Sequence, residues 1–155
     1  MAAVARGVAE FQQATDLVDD AVAQRLGINR TDQRCLGLLF GRGAMGAGQL
    51  AVASQLSPGA MTAALDRLER LGYIRRVRSS VDRRSVIVEL TSTARQLIEE
   101  HYGPIGQAGL AHLDHYSDAE LVLLRDFLRK GQELQVEHAA RIRSSADSPP
   151  SDNNA

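Results

Sequence analysis

The chain has a single cysteine, Cys35, no tryptophan, three phenylalanines, three tyrosines, and one lysine, Lys130, among its eighteen basic residues. One cysteine excludes an intramolecular disulfide framework and points to a reducing compartment. No apolar run approaches the ~18 residues of a membrane-spanning helix, and Met1 to Glu10 holds no hydrophobic stretch long enough for a secretory signal. A soluble, cytoplasmic protein is expected. No nucleophile lies beside a base. The glycines Gly41, Gly43, Gly46 and Gly48 lack the lysine and the strand-to-helix setting of a phosphate loop. Neither an enzyme nor a cofactor is therefore expected. Because lysine is so scarce, the use of arginine in any one segment reflects a chain-wide bias.

What is present suits one folded core: 155 residues, 44% of them hydrophobic, with a formal charge of −1. The densest information lies between Ser57 and Thr91. Ser57-Pro58 is a helix start, since the serine oxygen can accept an orphan backbone N–H and proline at the first position forfeits no hydrogen bond. Met61, Leu65, Leu68 and Leu71 recur at helical spacing and predict one core-facing stripe. Gly59, Thr62, Ala63, Asp66 and Arg70 occupy the other face, with Arg67 beside them. Gly72 predicts a left-handed helix end. Tyr73 to Arg78 and Ser85 to Leu90 then read as paired strands, joined by a loop over Ser79 to Arg84.

From Arg75 to Arg84 the chain carries five arginines and one acid on a nearly neutral background, the electrostatic footprint of a phosphate-contacting surface. Upstream, Ala47 to Gln55 reads as a short helix joined through Leu56 to the helix at Pro58, a helix-turn-helix. Thr31 to Phe40, with Thr31 as its cap and Cys35, Leu38 and Leu39 as its apolar side, supplies a third helix. Gly41 to Gly48 reads as the loop between. Together these elements predict a winged helix-turn-helix over residues 31–91, mainly α with a small two- or three-stranded β-wing.

The segments Leu56 to Thr62, Leu65 to Arg76, and Asp82-Arg83-Arg84 followed by Val86 to Thr91 resemble the MarR family of bacterial transcriptional regulators. The resemblance extends from about Ala5 to Arg143. It implies that Arg84 is the wing arginine entering the minor groove, that Asp82 orients the wing, and that Asp66 pairs with a wing arginine. Many members carry a further acid and arginine where this chain has Ser79-Ser80-Val81, so this wing tip is less charged. The chemistry of the remaining candidates follows from their side chains. Ser57, Gly59 and Ala60 allow close backbone approach to DNA, Thr62 and Ala63 can meet base edges or a thymine methyl, and Arg67 and Arg70 can contact guanine or phosphate. Arg75 and Arg83 add phosphate contacts. An intrahelical pair with Asp66 is the alternative for Arg70.

Outside 31–91 the pattern predicts dimerisation helices. Residues 1–30 carry Val4, Val8, Phe11, Ala14, Val18 and Val22 at three-to-four spacing. Residues 92–143 hold one helix from Thr91 to about His115, loosened at Gly103-Pro104, and a last helix opened by a capping box at Ser117 and carrying Leu121, Leu124, Phe127 and Leu128. That last helix is too long for a small winged helix to cover, which implies a homodimer on an inverted-repeat operator with recognition helices about 34 Å apart. The alternative is a monomer with the last helix folded back at Gly131. Residues 144–155 are expected to be disordered.

The resemblance further implies a repressor, associated with the nucleoid when on its operator and released by a small, often aromatic effector between the dimer helices and the winged helix, with no effector-binding residue legible. Competing readings are an oxidation sensor at Cys35, a metal site at His112 and His115, and a winged helix used only for protein contacts. Cys35 lies on an apolar face without a resolving partner, and the histidines lack a recognisable ligand pattern, so a structural thiol and no bound metal are expected.

Overall fold

The computed structural model describes residues 1–78 and 86–146, and Asp82, Arg83, Arg84 and the tail from Asp147 lie outside the described residues. The first helix, α1 (Ala2–Leu26), stops at Gly27, whose φ of 66° is left-handed and whose neighbour Ile28 donates its N–H to the Ala23 carbonyl at 3.0 Å. Only the end of α1 is buried, through Val22, Ala23 and Leu26.

Helix α2 spans Arg30–Arg42 and is capped by Asn29, two positions ahead of the expected hydroxyl. Asn29 Oδ1 accepts the Asp32 N–H at 2.9 Å, while Asp32 Oδ2 faces the Asn29 N–H at 3.5 Å. This reciprocal box satisfies two orphan donors where Thr31 alone would satisfy one, so Thr31 falls inside the helix. The expected loop over Gly41 to Gly48 is also mostly ordered structure. Helix α2 continues through Gly41, and Met45–Gly46 forms strand β1.

Helices α3 (Ala47–Ser54) and α4 (Pro58–Arg70) are the helix-turn-helix. Ser57 Oγ accepts the Ala60 N–H at 3.3 Å, and Pro58 occupies the first turn. Met61, Ala64, Leu65 and Leu68 are buried. Leu71 departs from its expected place on that stripe and is 43% exposed, because α4 ends at Arg70 and the chain turns away through Gly72 at φ 75°.

Strands β2 (Ile74–Arg78) and β3 (Val86–Leu90) pair antiparallel, with Ile74 opposite Leu90 and Arg78 opposite Val86; β1 joins the other edge of β3. Tyr73 is left outside the strand. The sheet and helices enclose a core of Cys35, Leu36 and Leu39 from α2, Leu50 from α3, the α4 stripe, and Ile74, Val88 and Leu90 from the sheet. Ala94 and Ile98 of α5 (Ser92–Leu113) complete it.

Helix α5 runs unbroken through Gly103-Pro104, in place of the expected loosening. A proline removes one amide donor and crowds one carbonyl, and the turns on both sides hold the helix across that gap. Two compact units divide the chain, Met1–Ile105 and the segment from Gly106 onward. The second unit holds the end of α5 and α6 (Asp118–Ala146). Ser117 donates its N–H and Oγ–H to Glu120 Oε2 at 2.8 and 2.7 Å, closing the expected capping box. Helix α6 passes Gly131 without a break, which rules out the folded-back alternative, and continues through Ser144 to Ala146, where disorder had been expected. No helix among the described residues is long and apolar enough to cross a membrane.

Candidate nucleic-acid interface

The exposed face of α4 is built from Gly59, Ala60, Thr62, Ala63, Asp66 and Arg70, and Ser57 stands exposed at its start. A Cβ added at Gly59 would meet nothing within 4 Å, so that glycine leaves open space at the first turn. Thr62 donates its hydroxyl to the Pro58 carbonyl at 3.0 Å. Its methyl and oxygen lone pairs remain for an approaching partner.

Behind this face, α4 is fastened to α2 by one ion pair. Arg67 Nε and Nη2 donate to the two Asp32 oxygens at 3.1 and 2.8 Å. The Asp32 side chain is 2% exposed and that of Arg67 is 35% exposed. The hydrogen bonds to Asp32 hold the guanidinium above its ordinary value. Arg67 was expected to contact guanine or phosphate, but its donor fork is occupied by a core carboxylate. The reason lies in Asp32, an acid on the same helix face as Cys35, Leu36 and Leu39, which needs a cation to be buried. An acid in the apolar stripe was the sequence signal for this pair.

The wing is tied to the same helix. Arg76 Nη2 meets Asp66 Oδ1 at 2.6 Å, its Nη1 meets Glu69 Oε2 at 3.0 Å, and its N–H donates to Glu69 Oε1 at 3.2 Å. Asp66 thus engages an arginine of the β2 strand, and the intrahelical pair with Arg70 does not form. Arg75 faces Glu89 across the sheet at 2.6 Å and stays 67% exposed. The side chains of Arg70 and Arg78 are exposed and have no hydrogen bond or ion pair among the described residues. Arg78, at the outer end of β2, is a further candidate cation. The expected tip residues Asp82, Arg83 and Arg84 fall outside the described residues.

A cavity of about 550 Å³ opens between the end of α1, α2 and the start of α5, all within the first unit. Val22, Leu26, Ile28, Leu36, Phe40 and Ile98 form its apolar wall. At its polar end Gln33 Nε2 donates to Tyr102 Oη at 2.7 Å and to the Asp19 carbonyl at 3.0 Å, and Tyr102 Oη donates to Asp19 Oδ1 at 2.8 Å. Burial, reinforced by Asp19, pushes the Tyr102 hydroxyl up. Two cations line the cavity, Arg30 and Arg34. Arg30 is held by Asp20 at 3.1 Å and Asp16 at 3.5 Å, whereas Arg34 Nη1 donates to the Ser54 carbonyl at 3.3 Å. Sequence reasoning missed this cavity, since its walls come from residues up to 86 positions apart, Asp16 and Tyr102.

Cys35 is fully buried, and its burial pushes the thiol up. The His112 and His115 ring centroids lie 5.9 Å apart with their planes tilted by 36°, and among the described residues no group of three or more His, Cys, Asp or Glu gathers to hold a metal. Of the expected dimerisation residues, Val4 is 58%, Phe11 71%, Leu124 36%, Phe127 46% and Leu128 63% exposed, and Val8 and Leu121 are half-buried.

A family model described as "MarR family" matches residues 28–86. The chain is 32% identical over 129 residues to the "Uncharacterized HTH-type transcriptional regulator YcgE" of Bacillus subtilis (strain 168), covering 83% of this chain and 84% of that one. Its fold is similar to that of a MepR mutant from a multidrug resistant S. aureus clinical isolate, at 18% identity and a TM-score of 0.66 over 86% of this chain and 96% of the other. It is also similar to NadR in complex with 4-hydroxyphenylacetate, at 24% identity and a TM-score of 0.61 over 82% and 90% of the two chains.

Proposed function

Given that the chain belongs to the MarR family of winged-helix, DNA-binding transcription regulators, we propose that it is a homodimeric repressor that binds an inverted-repeat operator and is released by a small molecule. The observation that carries this reading is the way α4 is presented. Its outward face is small and polar, its back is fastened to α2 through Asp32 and Arg67, and its side is fastened to the wing through Arg76. A helix fastened on two sides keeps its orientation in a major groove, where displacements of an ångström decide base contacts. Arg70 and Arg78, whose side chains have no partner among the described residues, then meet phosphate, and the family resemblance assigns Arg84 to the adjacent minor groove. Arg67 is withdrawn from the DNA-contacting set and serves the orientation of α4 instead.

The cavity is the effector site in this reading. Its volume suits a small aromatic molecule, and the NadR structure holds 4-hydroxyphenylacetate. The exposed apolar residues of α1 and α6 supply the dimer contacts, since a single chain leaves Phe11, Phe127 and Leu128 open to water. The oxidation-sensor alternative is disfavoured by the burial and raised thiol of Cys35, both of which suppress the reactive thiolate.

The test is retention of fragments from a genomic library at moderate salt, followed by sequencing. An inverted repeat with half-sites about one helical turn, ~10 bp, apart is expected. Affinity for it should fall with a log-log salt slope near about −5 if ~6 phosphates are neutralised. Recovery of nothing above background would assign the winged helix to protein contacts.

A further inference from the structure

We infer that the Tyr73 hydroxyl sets which half-site spacing the protein accepts, by pinning the end of α1 to the segment that joins α4 to the wing; this rests on the reading of the chain as a homodimer on an inverted repeat. Tyr73 is bonded to three elements at once. Its N–H donates to the Leu68 carbonyl of α4 at 2.9 Å, and its carbonyl accepts the N–H of Thr91, between β3 and α5, at 3.0 Å. Its Oη donates to the Leu26 carbonyl at the end of α1 at 3.0 Å. The two backbone bonds would form with any residue other than proline in this place. The third needs the hydroxyl, because phenylalanine would pack the half-buried ring against the core equally well and leave that bond unmade.

The acceptor is one that α1 cannot satisfy by itself, since a helix leaves its last four carbonyls without intrahelical partners. At the end of α1 the Ala23 and Gln24 carbonyls accept from Ile28 and Gly27, and the Leu26 carbonyl accepts from Tyr73. The other side-chain bonds that tie α1 to the rest of the first unit land elsewhere. Asp16 and Asp20 hold Arg30 of α2, and Asp19 meets Gln33 of α2 and Tyr102 of α5. Among the described residues the Tyr73 bond is the one hydrogen bond from α1 to the segment of α4 and the wing. It lies about 9 Å of helix axis beyond Asp20, and so fixes a second point along α1. In the proposed dimer α1 contacts the partner chain, and the angle between α1 and α4 in each protomer enters the separation of the two recognition helices. One base pair more or less between half-sites moves them by about 3.4 Å and about a tenth of a turn. Following that change turns each winged helix against its own α1, at the expense of the Tyr73 bond. Tyr73 is a positioning residue that acts through α4.

The test compares full-length wild type and Tyr73→Phe on the inverted repeat recovered from the genomic library, on the same repeat with one central base pair added or removed, and on a duplex with one half-site scrambled. Fluorescence anisotropy at one salt concentration gives the affinities. Wild type should favour the original spacing by at least about tenfold, and Tyr73→Phe should reduce that preference by about fivefold, the net worth of one hydrogen bond. The two proteins should bind the scrambled duplex within about twofold of each other. A role confined to packing or stability would instead weaken binding to every duplex in the same proportion. That result, or an unchanged spacing preference, would overturn the role of Tyr73 and leave the dimeric operator reading in place. A second readout needs no DNA. The Gly27 amide nitrogen shares a peptide group with the Leu26 carbonyl, so its resonance should shift in Tyr73→Phe, and a stationary resonance would also overturn the inference. Wild type that retained no inverted repeat, or bound all spacings alike, would overturn the operator reading and this inference together.

Discussion

Arg67 and Arg70 lie three positions apart on one helix and have opposite assignments. The Arg67 fork sits on a carboxylate that is almost wholly inaccessible, so removing it strands a buried charge. Arg67→Met should lower unfolding stability by about 2–4 kcal/mol, measured by urea denaturation, and Asp32→Asn in the same chain should restore part of the loss. Arg70→Ala should change stability by less than about 0.5 kcal/mol, as for other surface substitutions, while weakening operator binding and flattening its salt dependence. If Arg67→Met lost DNA affinity at full stability, the division between the two would be wrong. Cys35 carries the pH prediction. Burial raises its folded-state value, so the folded protein retains a thiol proton that the unfolded chain releases above about pH 8.5. The contribution is therefore present below that pH and lost as pH rises toward the folded value. Urea midpoints of wild type and Cys35→Ala, compared between pH 7 and 10 (an interval of about three units around the free thiol value), should show wild type losing more stability on the alkaline side.

At the scale of the element, α4 combines features that serve stability with one that opposes it. The Ser57 cap and Pro58 stabilise its start, and Ser57→Ala should cost about 1 kcal/mol. Gly59 works against the helix, because glycine loses more backbone freedom on folding than alanine does. The space around its missing Cβ is empty in the free protein. Gly59→Ala should thus raise thermal stability by about 0.5–1 kcal/mol while lowering operator affinity, if DNA backbone fills that space. A gain in stability with unchanged DNA affinity would remove Gly59 from the interface. The end of α4 was less legible. Leu71 follows the apolar spacing of Leu65 and Leu68 yet is exposed, since Gly72 ends the helix before the period completes. At α2, Asn29 outcompetes Thr31 as cap because Asp32 three positions on returns a second hydrogen bond.

For the whole molecule the decisive quantity is apolar surface. Along α6 Leu123, Phe127, Leu128, Leu134, Val136 and Ile142 are all exposed, as are Val4, Phe11 and Leu17 on α1. In the proposed dimer these surfaces are covered. Leu128→Asp, which places a charge on such a face, should convert a dimer into a monomer in analytical ultracentrifugation. It should also abolish high-affinity operator binding and leave the helix content of the first unit intact. A dimer that survives both this change and Phe11→Asp would place the interface elsewhere.

The sequence by itself determined the cap and stripe of α4 and the capping box at Ser117, because each depends on groups within a few positions of one another, and the paired strands of the wing, because they are neighbours in sequence joined by one short loop. Cys35 as a buried thiol was legible for the same reason. Tertiary structure alone decided what each charge does. Asp32 finds Arg67 across 35 positions, Tyr102 reaches Asp19 across 83, and Arg34 reaches Ser54 across 20. A residue's partner at such separations depends on which helix faces pack together. Local composition therefore read Arg67 as a surface contact, and only the burial of Asp32 shows that its charge belongs to the core.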